Sequence, residues 1–138
     1  HTANLLIARE QMLQHPFDER LRHYGYEDVL LGKTLQRQRI PILHIDNPLG
    51  FCIFESNADF VAKTEEGLRT LYQFRSDLRG YSRLLTLVSG IHISAILWLM
   101  RLWHRMFGAI ERRNLCGSRP YLLVFKLYRL GYYLSLTR

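Results

Sequence analysis

A turn, two acids and a proline define one helix in the N-terminal part of the chain. Gly25 introduces the turn, Glu27 and Asp28 follow it, and Pro41 forces the residue before it into an extended conformation. Three leucines between the acids and the proline recur at helical spacing: Leu30, Leu31 and Leu35. The sequence therefore predicts a helix from residue 27 to about 38 with its carboxylates at the N-terminus facing an open cleft, although a plain first-turn acidic cap gives the same pattern.

Breaker residues and periodicity divide the rest of the chain. Apolar runs at residues 5–8 and 40–45 predict short strands, and Ser56 with Asp59 three residues later predicts a helix cap. The helix behind that cap should run to about Phe74, with Glu65 and Arg69 as an i,i+4 pair. We expect a third helix at 82–110 and a last helix with Pro120 in its first turn.

Positive charge is concentrated in the C-terminal part. Residues 1–76 carry nine Lys/Arg and ten Asp/Glu, whereas residues 77–138 carry ten Lys/Arg and only Asp77 and Glu111 as acids. The second part is also rich in aromatic residues and leucine, and residues 84–100 contain no charged side chain. Seventeen residues fall short of the ~20 that a spanning helix needs. A basic amphipathic surface lying on anionic headgroups and an ordinary buried helix both fit this pattern.

The two cysteines, Cys52 and Cys116, stand far apart and without the spacing of a metal site. Free thiols in a reduced compartment are the expectation. A chain of 138 residues is long enough for one domain with one core.

Residues 24–48 resemble the Glu-Asp motif in the C-terminal half of GT-A-type glycosyltransferases, especially family 2 enzymes and their galactosyltransferase-like relatives. Those proteins carry an aromatic-Gly-X-Glu-Asp block, a helix, and a Gly- or Pro-marked turn into a strand, matched here by residues 24–28, 27–38 and 40–45. Weaker likeness continues at 47–48, 55–57, 63–67 and 127–133. The resemblance implies an α/β fold class: the C-terminal portion of a GT-A fold, mainly helical here with a few short strands.

The same resemblance assigns roles to individual residues. It implies that Asp28 is the base of an inverting sugar transfer and that Glu27 orients the acceptor sugar. Tyr26, Gly25 and Asn4 are the further substrate-binding residues that it implies. Residues 1–76 would be the acceptor-side part of the catalytic domain, and residues 77–138 a basic, aromatic helical region.

Family members hold a divalent metal, Mn or Mg, with an Asp-X-Asp motif that this sequence does not contain. We therefore interpret the chain as a C-terminal piece, inactive alone, of an enzyme whose full length binds the metal. His44 is the candidate metal ligand, and the alternative is a strand residue whose ring is hydrogen-bonded in a sheet. Relatives commonly place a His shortly after the Asn-Pro pair, where this chain has Gly50, Phe51 and Cys52.

The resemblance also implies partners and a location. The partners would be a nucleotide-sugar donor, a glycan or lipid-linked acceptor and a membrane surface, with no nucleic acid. The enzyme would work in the cytoplasm at the inner face of the plasma membrane, in the synthesis of cell-envelope polysaccharide or glycolipid. The alternative class is a non-catalytic basic module that binds an anionic membrane or nucleic acid. Paired acids before a helix favour the enzyme, because a basic module does not need them.

Overall fold

The computed structural model describes residues 4–50 and 52–137, so Phe51, named above beside the Asn-Pro pair, lies outside the described residues. The α/β expectation is wrong, because every regular element within the described residues is a helix. The helices are α1 (Arg9–Gln14), α2 (Glu27–Arg37), α3 (Asn57–Gln73), α4 (Arg83–Gly90), α5 (Ser94–Leu115) and α6 (Leu122–Leu136).

Both segments that were expected to form strands are without regular structure. A strand exists only where a neighbour completes its ladder of hydrogen bonds, and neither 5–8 nor 40–45 has such a neighbour in the described part of the chain. Residues 41–50 are exposed along their whole length. The strand preference of Ile42 and Ile45 takes effect only where a partner strand is present.

The helix after the Gly25 turn forms as the sequence predicts. α2 begins at Glu27, and it ends at Arg37 where Arg39 adopts the left-handed conformation at φ 57°. The Ile40 backbone N–H then donates to the Leu35 carbonyl at 3.0 Å and satisfies one of the last free carbonyls of the helix.

The predicted cap of α3 is confirmed. The Ser56 hydroxyl accepts from the Asp59 backbone N–H at 3.1 Å, and the helix ends at Gln73. Pro120 lies two residues before the start of α6 at Leu122, so its expected place in the first turn of that helix is wrong.

The single helix expected at 82–110 is two helices. α4 ends at Gly90, residues 91–93 are non-helical, and α5 continues to Leu115, five residues beyond the predicted end. Gly90 followed by β-branched Ile91 and Ile93 explains the break, because both residue types disfavour helix. None of the helices in residues 4–50 and 52–137 is long and apolar enough to cross a membrane.

Helices α3, α5 and α6 form the central bundle. His104 of α5 lies against Gly131 of α6, and Arg101 donates to the Leu134 carbonyl at 3.1 Å, so the two helices run antiparallel. α3 runs parallel to α6, since Phe60 contacts Phe125 and, further along both helices, Arg69 bonds Tyr132.

Glu65 joins all three helices of the bundle. Its Oε1 accepts from Arg112 Nε at 2.8 Å and from the Tyr128 hydroxyl at 2.7 Å. The predicted i,i+4 partner, Arg69, instead donates to the Tyr132 hydroxyl. The expected pair between Glu65 and Arg69 within α3 is therefore not formed, because both side chains bond residues of other helices.

Two apolar clusters form the core. The first unites α2, α3 and α6 with the turns around them through Leu30, Leu68, Leu71, Phe74, Leu78 and Tyr133. The second lies where α3 meets the end of α5 and α6, at Val61, Leu115 and Tyr128. The division of the chain at residue 76 stays a prediction, and each cluster draws side chains from both sides of it.

Candidate functional site

The turn before α2 places the two acids. Gly25 has φ 107° and Tyr26 has φ 71°, two successive left-handed residues that reverse the chain just before the first helical residue. Glycine adopts such a conformation at little cost, whereas a tyrosine does so only when its surroundings hold it there. The tyrosine is held by its own side chain, which packs partly buried against the first core cluster.

Two hydrogen bonds to α3 hold this turn in place. The Thr70 hydroxyl donates to the Tyr24 carbonyl at 3.0 Å, and the Tyr24 backbone N–H donates to Glu66 Oε1 at 3.1 Å. Between those two bonds the backbones approach so closely that a Cβ on Gly25 would lie 3.1 Å from the Cα of Gly67. The position of the acids is therefore fixed by α3 as well as by the turn itself.

The two acids have different surroundings. Glu27 Oε2 accepts from the Gly25 backbone N–H at 3.0 Å, so this carboxylate closes the turn that precedes it. Asp28 is half-buried, and its Oδ1 lies 2.9 Å from the Val29 backbone nitrogen. Of the two, Asp28 lines an open groove, which we call the α2–α3–α6 groove. Glu27, which the resemblance expects to orient the acceptor sugar, is not among the residues that line it.

The α2–α3–α6 groove has a volume of about 340 Å³. It is lined by the turn, the first residues of α2, one face of α3 and two residues of α6: Tyr24, Gly25, Tyr26, Asp28, Val29, Phe60, Lys63, Thr64, Gly67, Leu68, Phe125 and Arg129. Asp28 is the one carboxylate among these twelve residues. A concave surface that is mostly apolar and carries a few placed polar groups is the usual form of a small-ligand site.

Aromatic rings and cations form the walls of the groove. Phe60 and Phe125 pack with their ring centroids 5.6 Å apart, and the Arg129 guanidinium lies over the Phe125 ring at 5.4 Å. Across the groove, Lys63 Nζ lies 5.9 Å from the centre of the Tyr24 ring and forms an ion pair with Glu55 at 2.5 Å. The groove therefore offers ring faces for stacking beside two positive charges.

Tyr26 contributes a phenol to the groove, and burial raises the pKa of this phenol above its ordinary value. The positive charge of Arg129 and a hydrogen bond with Ser82 oppose that rise. Its hydroxyl is therefore a neutral hydrogen-bonding group throughout the physiological pH range.

Two residues named by the resemblance lie elsewhere. Asn4 Nδ2 donates to the Asn47 carbonyl at 2.8 Å and so links the N-terminal segment to residues 41–50. His44 is exposed within that non-helical segment, and neither residue lines the groove. The strand that the alternative explanation of His44 required is absent there, because the segment has no partner strand among the described residues.

A divalent metal would need three or more converging ligands. No group of three His, Cys, Asp or Glu side chains suited to this purpose occurs within residues 4–50 and 52–137. The described residues thus do not fit a metal site, and the Mn or Mg expected for a longer enzyme stays a prediction. Both cysteines are free thiols; Cys52 is exposed and Cys116 is half-buried.

The groove residues on α3 and α6 were not among the predicted site residues. Phe60, Lys63, Thr64 and Gly67 recur at intervals of three and four, which places them on one face of α3. That spacing is visible in the sequence, but it does not tell which other segment faces it. Phe125 and Arg129 become neighbours of the Gly25 turn only through the packing of α6 on α3.

Comparisons with models of protein families, with curated proteins and with solved structures find no significant match to this chain.

Proposed function

We propose that the α2–α3–α6 groove is the acceptor-side site of an inverting glycosyltransferase, with Asp28 as the base. The observation that carries the proposal is the place of Asp28: it is the one carboxylate of a groove whose other walls are aromatic and cationic. Aromatic faces suit the apolar faces of sugar rings, and a single carboxylate gives the groove one proton acceptor of the required strength.

The proposed reaction forms one bond and breaks another at the anomeric carbon. The acceptor hydroxyl oxygen attacks that carbon, the bond from the carbon to the diphosphate oxygen breaks, and the nucleoside diphosphate leaves with the electron pair. Asp28 takes the hydroxyl proton as the new bond forms. This chain would supply the base and the acceptor wall, and the donor would be held by another part of the enzyme, as in the family that the sequence resembles.

The remaining groove residues have supporting roles in this proposal. Glu27 keeps the turn closed through its bond to Gly25, which fixes the backbone from which Asp28 projects. Tyr26, packed against the first core cluster with its hydroxyl bonded to Ser82, holds the wall of the groove next to Asp28 in place. The rings of Tyr24 and Phe125, which both line the groove, orient the sugar by stacking.

The test is Asp28→Asn in the enzyme that contains this chain. The amide keeps the shape of the side chain but does not accept the proton, so the rate of transfer should fall by about 10²–10⁴-fold while donor binding is retained. Asp46→Asn is the matched control, because Asp46 is an exposed acid outside the groove and its loss should leave the rate unchanged. Glu27→Gln keeps an oxygen that accepts from the Gly25 N–H, so it should lower the rate of transfer much less than Asp28→Asn does.

The same experiment separates the enzyme from the alternative class. A non-catalytic basic module does not use an acid in this groove. Near-normal transfer by a folded Asp28→Asn variant would leave Glu27 and Asp28 as a first-turn helix cap, and the proposal would fail.

A further inference from the structure

The outer face of α5 is apolar and uncovered within the described residues. Large apolar side chains recur there every three or four residues, so they form one stripe along the helix: Ile96, Leu99, Trp103, Met106 and Ile110. Leu99 is 56% exposed and Met106 is 63% exposed. Leu102 and Trp98 widen the stripe on one side. We call this surface the α5 outer face.

The bundle is held by the opposite face of α5. His104 packs against Gly131 and the ring of Tyr128, and the buried Glu111 accepts from the Trp103 indole N–H at 2.8 Å. Leu115 belongs to the second core cluster. Of the stripe, Trp103 is thus tied to the bundle through Glu111, whereas Leu99, Met106 and Ile110 are mostly exposed, and an exposed apolar surface of this size marks a site of interaction.

The charges around the stripe are positive. α5 carries four arginines, of which Arg101 and Arg112 bond the bundle at the Leu134 carbonyl and at Glu65. The other two, Arg105 and Arg113, are exposed, and the one acid of the helix, Glu111, is buried. Over residues 77–138 ten Lys/Arg stand against two acids. An exposed apolar stripe with two tryptophans, with Arg113 beside it and a strongly basic region around it, is the pattern of a helix that lies in the interface of an anionic membrane.

A second copy of the chain is a poorer partner for this face. Arg113 lies three residues after Ile110, on the same side of the helix, so self-association would bring like charges together in an apolar seam. At a membrane the same guanidinium reaches the phosphates of the headgroups while its stem covers apolar surface. Because no described helix is able to span a membrane, the helix axis would lie in the plane of the surface.

We propose that the α5 outer face docks this chain on an anionic lipid bilayer, with Trp98 and Trp103 at the level of the headgroups. This inference does not depend on the proposed function, since none of its residues lines the α2–α3–α6 groove. The docking is interfacial and uses two contributions: burial of the apolar stripe, and attraction of the arginines to negative headgroups.

The chain contains its own probe for the test. Its only two tryptophans are Trp98 and Trp103, both on α5 and both exposed. Titration with vesicles of phosphatidylcholine and phosphatidylglycerol should shift the tryptophan emission to the blue, and lipids brominated near the headgroup should quench it. Raising the salt concentration from 0.05 to 0.5 M should weaken binding, because screening shortens the reach of the arginines.

Variants locate the contact. Leu99→Glu and Met106→Glu should each weaken binding at least about tenfold, since each puts a negative charge where an apolar side chain would be buried. Arg113→Gln should weaken binding to the anionic vesicles about fivefold, the effect of one basic residue at such a surface. Leu43→Glu is the matched control: Leu43 is 85% exposed but lies in residues 41–50, so binding should be unchanged.

Four results would overturn the proposal. The first is an emission that does not shift with anionic vesicles, and the second is binding that is equal on neutral and anionic vesicles. The third is an equal loss in Leu43→Glu and Leu99→Glu. The fourth is a dimer in light scattering that Met106→Glu converts to a monomer, which would assign the face to a second copy. Circular dichroism of each variant confirms that the helices are intact.

Discussion

Gly25 is the residue on which the geometry of the groove depends most directly. Its φ of 107° belongs to a region that other residues adopt at a cost, and its backbone crosses that of Gly67. The two glycines are not equivalent. A Cβ on Gly25 would meet the Gly67 Cα at 3.1 Å, whereas a Cβ on Gly67 would lie 3.9 Å from the Tyr24 carbonyl oxygen, an ordinary contact.

Gly25→Ala should therefore lower the free energy of unfolding by about 1–3 kcal/mol, from the left-handed conformation and from the close backbone. Gly67→Ala should be neutral or stabilising by up to about 1 kcal/mol, because alanine is the better helix former. Urea unfolding followed by circular dichroism measures both. Equal effects of the two substitutions would contradict this account of the turn.

Among single residues, the sequence predicted the turn and the start of the helix that carries both acids, but only Asp28 of the two lines the groove. Gly25, Tyr26 and Asp28 do lie together at the groove, because a local turn and the start of a helix are set by neighbours in the chain. Asn4 and His44 were grouped with them by resemblance alone, and the structure places both outside the groove.

At the scale of elements, glycine also determines how closely α5 and α6 pack. A Cβ on Gly131 would lie 2.6 Å from the Cβ of His104, so the two helices meet at a distance that only glycine allows. The His104 ring fills the space beside them, with its Nδ1 3.2 Å from Glu111 Oε2 and its plane edge-on to Tyr128. This crossing fixes α5, and with it the direction of its outer face.

Gly131→Ala should lower the free energy of unfolding by about 1–2 kcal/mol, because the crowded atom is the stem of His104 and not the movable end of a long side chain. Gly32→Ala is the matched control in α2, where a Cβ would meet no atom within 4 Å. It should raise the free energy of unfolding by about 0.5–1 kcal/mol. A stabilising Gly131→Ala would show that α5 and α6 are free to move apart.

Local signals predicted the elements only where the neighbouring residues decide the structure. The Ser56 cap and the turn before Glu27 are formed by near neighbours in the chain, and both helices begin where the sequence indicates. The strands at 5–8 and 40–45 failed because a strand depends on a distant partner. The prediction of one helix at 82–110 was wrong at Gly90. The apolar residues keep helical spacing through this position, but glycine itself disfavours a helical backbone, and the helix ends there.

For the molecule as a whole, one carboxylate joins the three helices of the bundle. Glu65 of α3 accepts from Arg112 in the last turn of α5 and from Tyr128 of α6, so it ties both helices to α3. Burial and, second, the hydrogen bond to Glu65 raise the pKa of Tyr128 above its ordinary value. Burial likewise raises the pKa of Tyr26 and Tyr133 in the first cluster.

These raised pKa values make the fold sensitive to alkali. The unfolded chain loses tyrosine protons from about pH 10, while the folded chain still holds them, so the free energy of unfolding should fall as the pH rises above about 10. Tyr128→Phe should cost about 1 kcal/mol at pH 8 through the lost hydrogen bond. The substitution should also make the free energy of unfolding fall less steeply between pH 9.5 and pH 11. Guanidinium unfolding at several pH values tests this, and identical alkaline slopes for the two proteins would refute it.

The exposed segment at residues 41–50 has a consequence inside a cell. Its apolar side chains, Ile42, Leu43 and Ile45 among them, are presented on non-helical backbone without cover from the described helices. Chaperones and proteases recognise proteins that have not finished folding by exposed apolar surface of this kind. Chaperones and proteases would therefore recognise the folded chain as incompletely folded, although its helical bundle is complete, for as long as these ten residues stay uncovered.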